Sequence, residues 1–205
     1  MKTGILLINL GTPDSPSTRD VRIYLRELLS CERVIDINPV WRWLLVNFVI
    51  LPFRSPKSAK AYKKIWMDEG SPLLVFSEKL KTALLEQFVE KDIPLELGMQ
   101  CRKPSLKTAI AKLRGQNCDQ IIVLPLYPQY ASSSYGAAIE DLYKVILNDW
   151  NIPHLRIIPP FFSDSLFIEA WAKVGMPYLD HNPDHVRSKE RRVGKECRSR
   201  WSPDQ

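Results

Sequence analysis

The sequence predicts an α/β fold, a parallel sheet flanked by helices, on three observations. Residues 5–10 and 120–126 are apolar runs of the kind that form strands buried on both faces. Segments of helical spacing separate these and the other strand candidates, at lengths that suit βαβ units. The chain has 205 residues, 45% hydrophobic and 25% charged, which is the balance of a globular protein long enough to bury a real core.

Each element follows from local pattern. The first strand, 5–10, is broken by Gly11-Thr12-Pro13. Residues 18–30 read as a helix capped by Ser17 or Thr18, with Val21, Leu25, Leu28 and Leu29 on one face. Residues 41–49 read as a short apolar helix, and 56–66 as a basic helix carrying Lys57, Lys60, Lys63 and Lys64. Residues 72–89 have helical spacing at Leu73, Phe76, Leu80, Leu84 and Phe88. Then come a strand at 95–99, a helix at 104–113 with Pro104 in its first turn, and the strand at 120–126. A polar loop, 127–135, leads into a helix at 136–147, a strand at 155–158 and a helix at 163–178.

Charge and composition exclude several functions. Residues 187–205 hold seven Lys/Arg and three Asp/Glu, a net of +4, while the other 186 residues hold 22 and 20, a net of +2. The body is therefore nearly neutral and has no basic stripe interleaved with aromatics, so nucleic acid is not an expected partner. The tail lacks apolar periodicity and reads either as a disordered basic extension or as adapter-derived, artefactual sequence. Cys31, Cys101, Cys118 and Cys197 form no C-x-x-C pair and read as reduced thiols. With no signal peptide expected, the reading is cytoplasmic. The longest apolar stretch, 41–53, contains Arg42 and Asn47 and is too short to span a bilayer.

Ligands of open α/β sheets bind beyond the carboxyl ends of the strands. That makes two loops candidates, 9–13 and 125–136. In the second, Pro128 stiffens the chain, Tyr127 and Tyr130 offer flat apolar faces, and Ser132, Ser133 and Ser134 offer hydroxyls. Those serines either cap the following helix or hold an anion at its N-terminus, and the tyrosines either line a site or fill the core. The third candidate runs from Arg54 through Tyr62 to Gly70-Ser71-Pro72. On one helix Arg54 and Tyr62 lie about two turns apart. Arg54 suits a carboxylate, and Ser71 either donates a hydrogen bond or caps the next helix; a solvated basic helix is the plainer alternative. Phosphate-loop, dinucleotide, zincin and nucleophile-elbow patterns are all absent. Asp180, His181, Asp184 and His185 read as a solvated loop rather than a metal site.

These segments, in this order, resemble ferrochelatase. The resemblance rests on Gly4-Ile5-Leu6-Leu7-Ile8-Asn9-Leu10-Gly11-Thr12-Pro13, on Tyr62 with Gly70-Ser71-Pro72-Leu73, and on Leu124-Pro125-Leu126-Tyr127-Pro128-Gln129-Tyr130 with its serines. It covers about residues 1–186 and is closest to the proteobacterial type. It implies a chelatase-like three-layer lobe, with a second, similar lobe missing here and a porphyrin cleft between the two. It implies insertion of Fe²⁺ into protoporphyrin IX, the last step of haem biosynthesis. Leu10 matches a position against the macrocycle, and Arg54, Tyr62 and Ser71 match residues that contact the porphyrin and its propionates. Tyr130, Ser132 and Ser133 join them as substrate-binding candidates. The 41–53 segment matches a cleft lip that touches membrane in some members.

The sequence also departs from the family. The expected metal-binding His, in a Phe-Ser-x-His-Gly-like strand end just after the position of Val186, and the expected later Glu are absent, and Gln100-Cys101 stands where some branches have Arg-Tyr. The expectations that follow are no catalytic or metal-binding residue and no cofactor in this chain, with iron as substrate. The 205-residue chain is expected to be inactive alone, the alternative being a non-catalytic porphyrin- or haem-binding half-module.

Overall fold

The computed structural model describes residues 2–88 and 92–179. Residues 2–162 belong to one compact unit. It is built from β1 (Thr3–Gly11), α1 (Thr18–Ser30), α2 (Pro39–Leu44), α3 (Leu51–Ile65), α4 (Pro72–Phe88), β2 (Leu95–Cys101), α5 (Leu106–Gly115), β3 (Gln120–Pro125), α6 (Ala137–Ile146) and β4 (His154–Ile157). A second unit begins at Ser163, and its described element is α7 (Ser165–Leu179). The tail, and the Asp180–His185 group weighed above, lie outside the described residues.

The four strands are all parallel, in the order β2-β1-β3-β4. Alternate side chains of the central strand face opposite layers, as a pleat of period two requires. Leu6 and Ile8 pack with Ile121 and Val123 under Leu106, Ile110 and Leu113 of α5 and Leu142 and Ile146 of α6. On the other face Leu7 packs with Leu97 and Met99 of β2 and with Leu74, Leu84 and Leu85 of α4. This is the expected three-layer arrangement, and the apolar runs form strands because both faces are covered.

A third cluster sits at the carboxyl end of the sheet. Val21, Tyr24, Leu25 and Leu29 of α1 pack against Leu51 and Ala59 of α3 and meet the sheet at Cys101, the last residue of β2. Ser17 caps α1, its hydroxyl accepting from the Asp20 amide at 3.1 Å.

Three local readings are corrected. Residues 39–65 are not two separate helices: α2 runs through a π-helical turn, Leu45–Ile50, directly into α3. Pro52 lies where the π turn passes into α3, and Pro56 is carried inside the helix. Pro104 does not open α5; Ser105 is its N-cap, accepting from the Thr108 amide, and the Lys103–Pro104 bond before it is cis. Residues 132–135 are not an irregular loop but belong to a second π-helical turn, Ser132–Gly136.

Candidate functional site at the carboxyl end of the sheet

The strand order fixes where a site belongs. The chain leaves β1 for β2 on one side and returns past β1 to β3 on the other, so the carboxyl ends of β1 and β3 flank the crevice where the connections diverge. Leu10 is the penultimate residue of β1 and is half-buried. The loop after β3 starts beside it, with the Leu126 amide donating to Ile8 O at 2.7 Å.

Gly11 closes β1 against β2. Its φ is +96°, and a Cβ there would lie 1.9 Å from the Cys101 carbonyl oxygen, so no side chain fits. The next residue, Thr12, donates from its hydroxyl to Ser71 Oγ at 2.6 Å, and both residues are buried. Ser71 fits neither reading as made: its hydroxyl accepts from Thr12 rather than donating, and among the described residues no side-chain bond of it caps α4. Its carbonyl accepts from Val75 N at the start of α4, and its hydroxyl faces the end of β1.

Tyr62 comes to the same end of the sheet. Its ring makes edge contacts with Tyr24 at 6.3 Å and Trp66 at 6.1 Å, and it packs against the cluster that includes Cys101. Burial pushes the Tyr62 hydroxyl above its ordinary value, and does the same more strongly to Tyr24 and Tyr127. Burial also pushes the Cys101 thiol up to about 12, with Glu27 adding to the effect. All four are therefore neutral at physiological pH, so this end of the lobe carries no phenolate or thiolate from them.

Arg54 stands apart. Ser55 and Ala59 are the buried residues of α3 at its level, and Arg54 is exposed beside them. It has no ion pair among the described residues, which leaves it available to an incoming carboxylate. Tyr62 lies eight residues on and is half-buried, so the two share a helix but differ in exposure.

The second loop divides. Tyr127 is core-like, packed on the α5–α6 cluster, and its buried hydroxyl has no hydrogen-bond partner among the described residues. Tyr130 is exposed and tilted against Tyr135 at 5.7 Å, in a groove of about 500 Å³ that Arg33, Ile139 and Tyr143 also line. Ser132 accepts from Arg33 Nη1 at 3.4 Å, and Ser133 is exposed. None of the serines caps a helix with its side chain. The structure therefore places Leu10, Tyr62 and Ser71 on elements that converge at the β1 end, and Tyr130 and Ser132 beside Arg33 and Glu140.

Sequence reasoning missed Thr12 as Ser71's partner, the Tyr24–Tyr62 pair, and Arg102. The Arg102 guanidinium bridges Asp14 and Glu27. Thr12 and Asp14 sit in or beside a loop that the strand-end rule had already singled out, but pattern alone does not say what each one touches.

Comparison with known proteins agrees with this geometry. The family model described as Ferrochelatase matches residues 2–193. A ferrochelatase of Legionella pneumophila (strain Corby) is 44% identical over 182 residues, covering 89% of this chain and 54% of the relative. A ferrochelatase of Marinomonas sp. (strain MWYL1) is 46% identical over 171 residues, covering 82% and 52%. The chain thus spans about half the length of the curated relatives it matches. With the family match running through nearly the whole chain and relatives at 44% and 46% identity, the chain belongs to the ferrochelatase family.

Proposed function

We propose that this chain works as the porphyrin-binding lobe of a ferrochelatase, a lyase that exchanges the two pyrrole protons of protoporphyrin IX for Fe²⁺. The observation that carries this is the convergence of Leu10, Tyr62 and the Thr12–Ser71 pair at the carboxyl ends of β1 and α3, in a chain of this family. A porphyrin is a flat apolar disc with two carboxylates, so its site needs apolar walls and a few donors. Leu10 supplies a wall, Tyr62 and Ser71 supply hydroxyls, and the unpaired Arg54 supplies a cation for a propionate. Tyr130, Ser132 and Ser133, on the loop after β3 beside Arg33, are further candidate contacts in a separate groove. A wall fixed by a packed sheet can hold the ring bent, which turns a pyrrole lone pair toward the metal.

The 41–53 segment supports a second contact, with a lipid surface. Trp41, Trp43, Phe48 and Phe53 are all more than half exposed. The Lys-rich α3 follows directly, and aromatic groups beside a basic helix suit the headgroup region of an anionic membrane. No helix among the described residues is long and apolar enough to cross a membrane. The expected site of action is the cytoplasmic side.

The test is an absorbance titration of the purified chain with protoporphyrin IX, followed by Fe²⁺ or Zn²⁺. A shifted Soret band supports the porphyrin site. A metallated spectrum, formed well above the uncatalysed rate, shows that the chain carries the insertion chemistry itself. Binding without metallation leaves it a porphyrin-binding half-module. No spectral change with porphyrin overturns the reading.

A further inference from the structure

Arg102 sits where three elements meet. It follows Cys101 at the end of β2 and adopts a left-handed backbone, φ 69°, which bulky residues rarely take up. That turn aims both its amide and its side chain at α1. The amide donates to Glu27 Oε2 at 2.9 Å, and Nη1 donates to Glu27 Oε1 at 2.9 Å. Nη2 donates to Asp14 in the loop after β1. The side chain is only 19% exposed, so these bonds are partly shielded from water. Asp14 and Glu27 hold the guanidinium firmly charged.

Asp14 is two residues from Thr12 and four from Leu10. The loop between β1 and α1 is therefore tied across the fold by Thr12 to Ser71 on the α4 side and by Asp14 to Arg102 on the β2 side. Ser15, bonded to Asp20, holds the same loop to the start of α1, so the Arg102 bridge is what ties it to β2.

We infer that Arg102 is a positioning residue for the porphyrin site, its bridge from Asp14 to Glu27 holding the loop after β1 so that Leu10 and the Thr12–Ser71 pair present a fixed wall. This rests on the porphyrin reading above. The residue touches no reacting atom in this arrangement and acts only through the loop.

The test compares Arg102→Asn with Arg114→Gln in the full chain. Asn tolerates the left-handed backbone, so the first variant removes the guanidinium and keeps the turn. Arg114 makes a comparable ion pair, to Asp149 at 2.5 Å, but at the end of α5 that leads into the start of β3, and so serves as the structural control. Amide exchange and protoporphyrin IX affinity are read on both.

The expected result is roughly tenfold faster exchange across 11–15 and a dissociation constant raised at least about threefold, in Arg102→Asn only. Unchanged exchange in that loop overturns the inference whether or not porphyrin binds. Faster exchange with unchanged affinity, or equal weakening in the control, shows a merely structural ion pair and also overturns it. If the parent chain binds no porphyrin, the porphyrin reading itself fails, and the positioning role fails with it. Should Arg102→Asn not fold, Asp14→Asn removes one arm of the bridge and is read by the same two measurements.

Discussion

Thr12 Oγ1 lies 2.6 Å from Ser71 Oγ, and each residue is only 4% exposed. Fifty-nine residues of chain separate them, and the bond joins the end of the central strand to the start of α4. A buried hydroxyl that loses its partner costs about 1–3 kcal/mol, whereas removing both partners together costs much less. Thr12→Val and Ser71→Ala are therefore each expected to destabilise by that amount, and the double variant by clearly less than their sum. Urea unfolding of the four proteins measures the coupling. Simple additivity would mean that the two hydroxyls do not depend on each other.

Gly11→Ala is expected to be among the most damaging single-methyl changes in the chain. The new Cβ meets the Cys101 carbonyl at 1.9 Å, and that oxygen belongs to the backbone of the adjacent strand. Gly70 makes the useful contrast. It also has a positive φ, 129°, but a Cβ there meets nothing within 4 Å. Gly70→Ala should cost only the ~1–3 kcal/mol of an unfavourable backbone conformation, and Gly11→Ala distinctly more. Denaturant midpoints of the two variants decide it, and equal losses would show that the strand end yields.

What was legible in the sequence was what local pattern controls. The run 5–10 reads as a buried strand because Leu6 and Ile8 serve one layer and Leu7 the other, leaving no polar face to break it. Ser17 reads as a cap because its hydroxyl has a nearby amide to satisfy. The join of α2 to α3 was not legible, because two prolines mark a break by rule, yet Pro52 lies where the π turn passes into α3 and Pro56 is carried inside that helix. At the site, Leu10, Tyr62 and Ser71 could be named from the resemblance. Their partners Thr12 and Tyr24, and the tie made by Arg102, depend on contacts between residues 38 or more apart in the chain, and no local spacing encodes those.

The Cys101 thiol, pushed up to about 12 by burial at the end of β2, gives a chemical readout of the same region. Only the thiolate alkylates, and at pH 8, four units below that value, it is present at about one part in ten thousand. At pH 8 in the native state, the Cys101 peptide should therefore react with iodoacetamide orders of magnitude more slowly than the half-exposed Cys31 peptide. Urea should abolish the difference. Comparable native rates, measured by timed quenching and peptide mass spectrometry, would show that water reaches the thiol.

Glu140 predicts an acid-side effect. Lys144, at 2.6 Å, and then Arg33 hold its carboxyl below the ordinary carboxylate value. A group with a lowered folded pKa stabilises the fold above its unfolded value, about 4.3 for Glu, and loses that contribution as pH falls through the lowered value. Glu140→Gln should therefore be less stable than the parent near neutral pH, with the gap closing as the solution becomes more acidic. Thermal melts of both proteins across that range check the sign, and a gap that widens on acidification would contradict it.

The exposed aromatic segment yields the last prediction. Trp41 is 67% and Phe53 72% exposed, so neither contributes much burial to the lobe. Trp41→Ser with Phe53→Ser should leave the unfolding midpoint nearly unchanged, as surface changes usually do, within about 0.5 kcal/mol each. If the segment docks on lipid, the same rings supply much of the apolar area it inserts, and the pair of changes should weaken binding to phosphatidylserine-containing vesicles by roughly tenfold or more. Co-sedimentation measures the binding, and a blue shift of tryptophan emission in the parent chain reports insertion. Raised salt should weaken the parent as well, because α3 brings Lys57, Lys60, Lys63 and Lys64 next to the aromatic segment. Retained binding in the double variant, or binding indifferent to both lipid charge and salt, would remove this segment as the membrane contact and leave its exposed rings without that role.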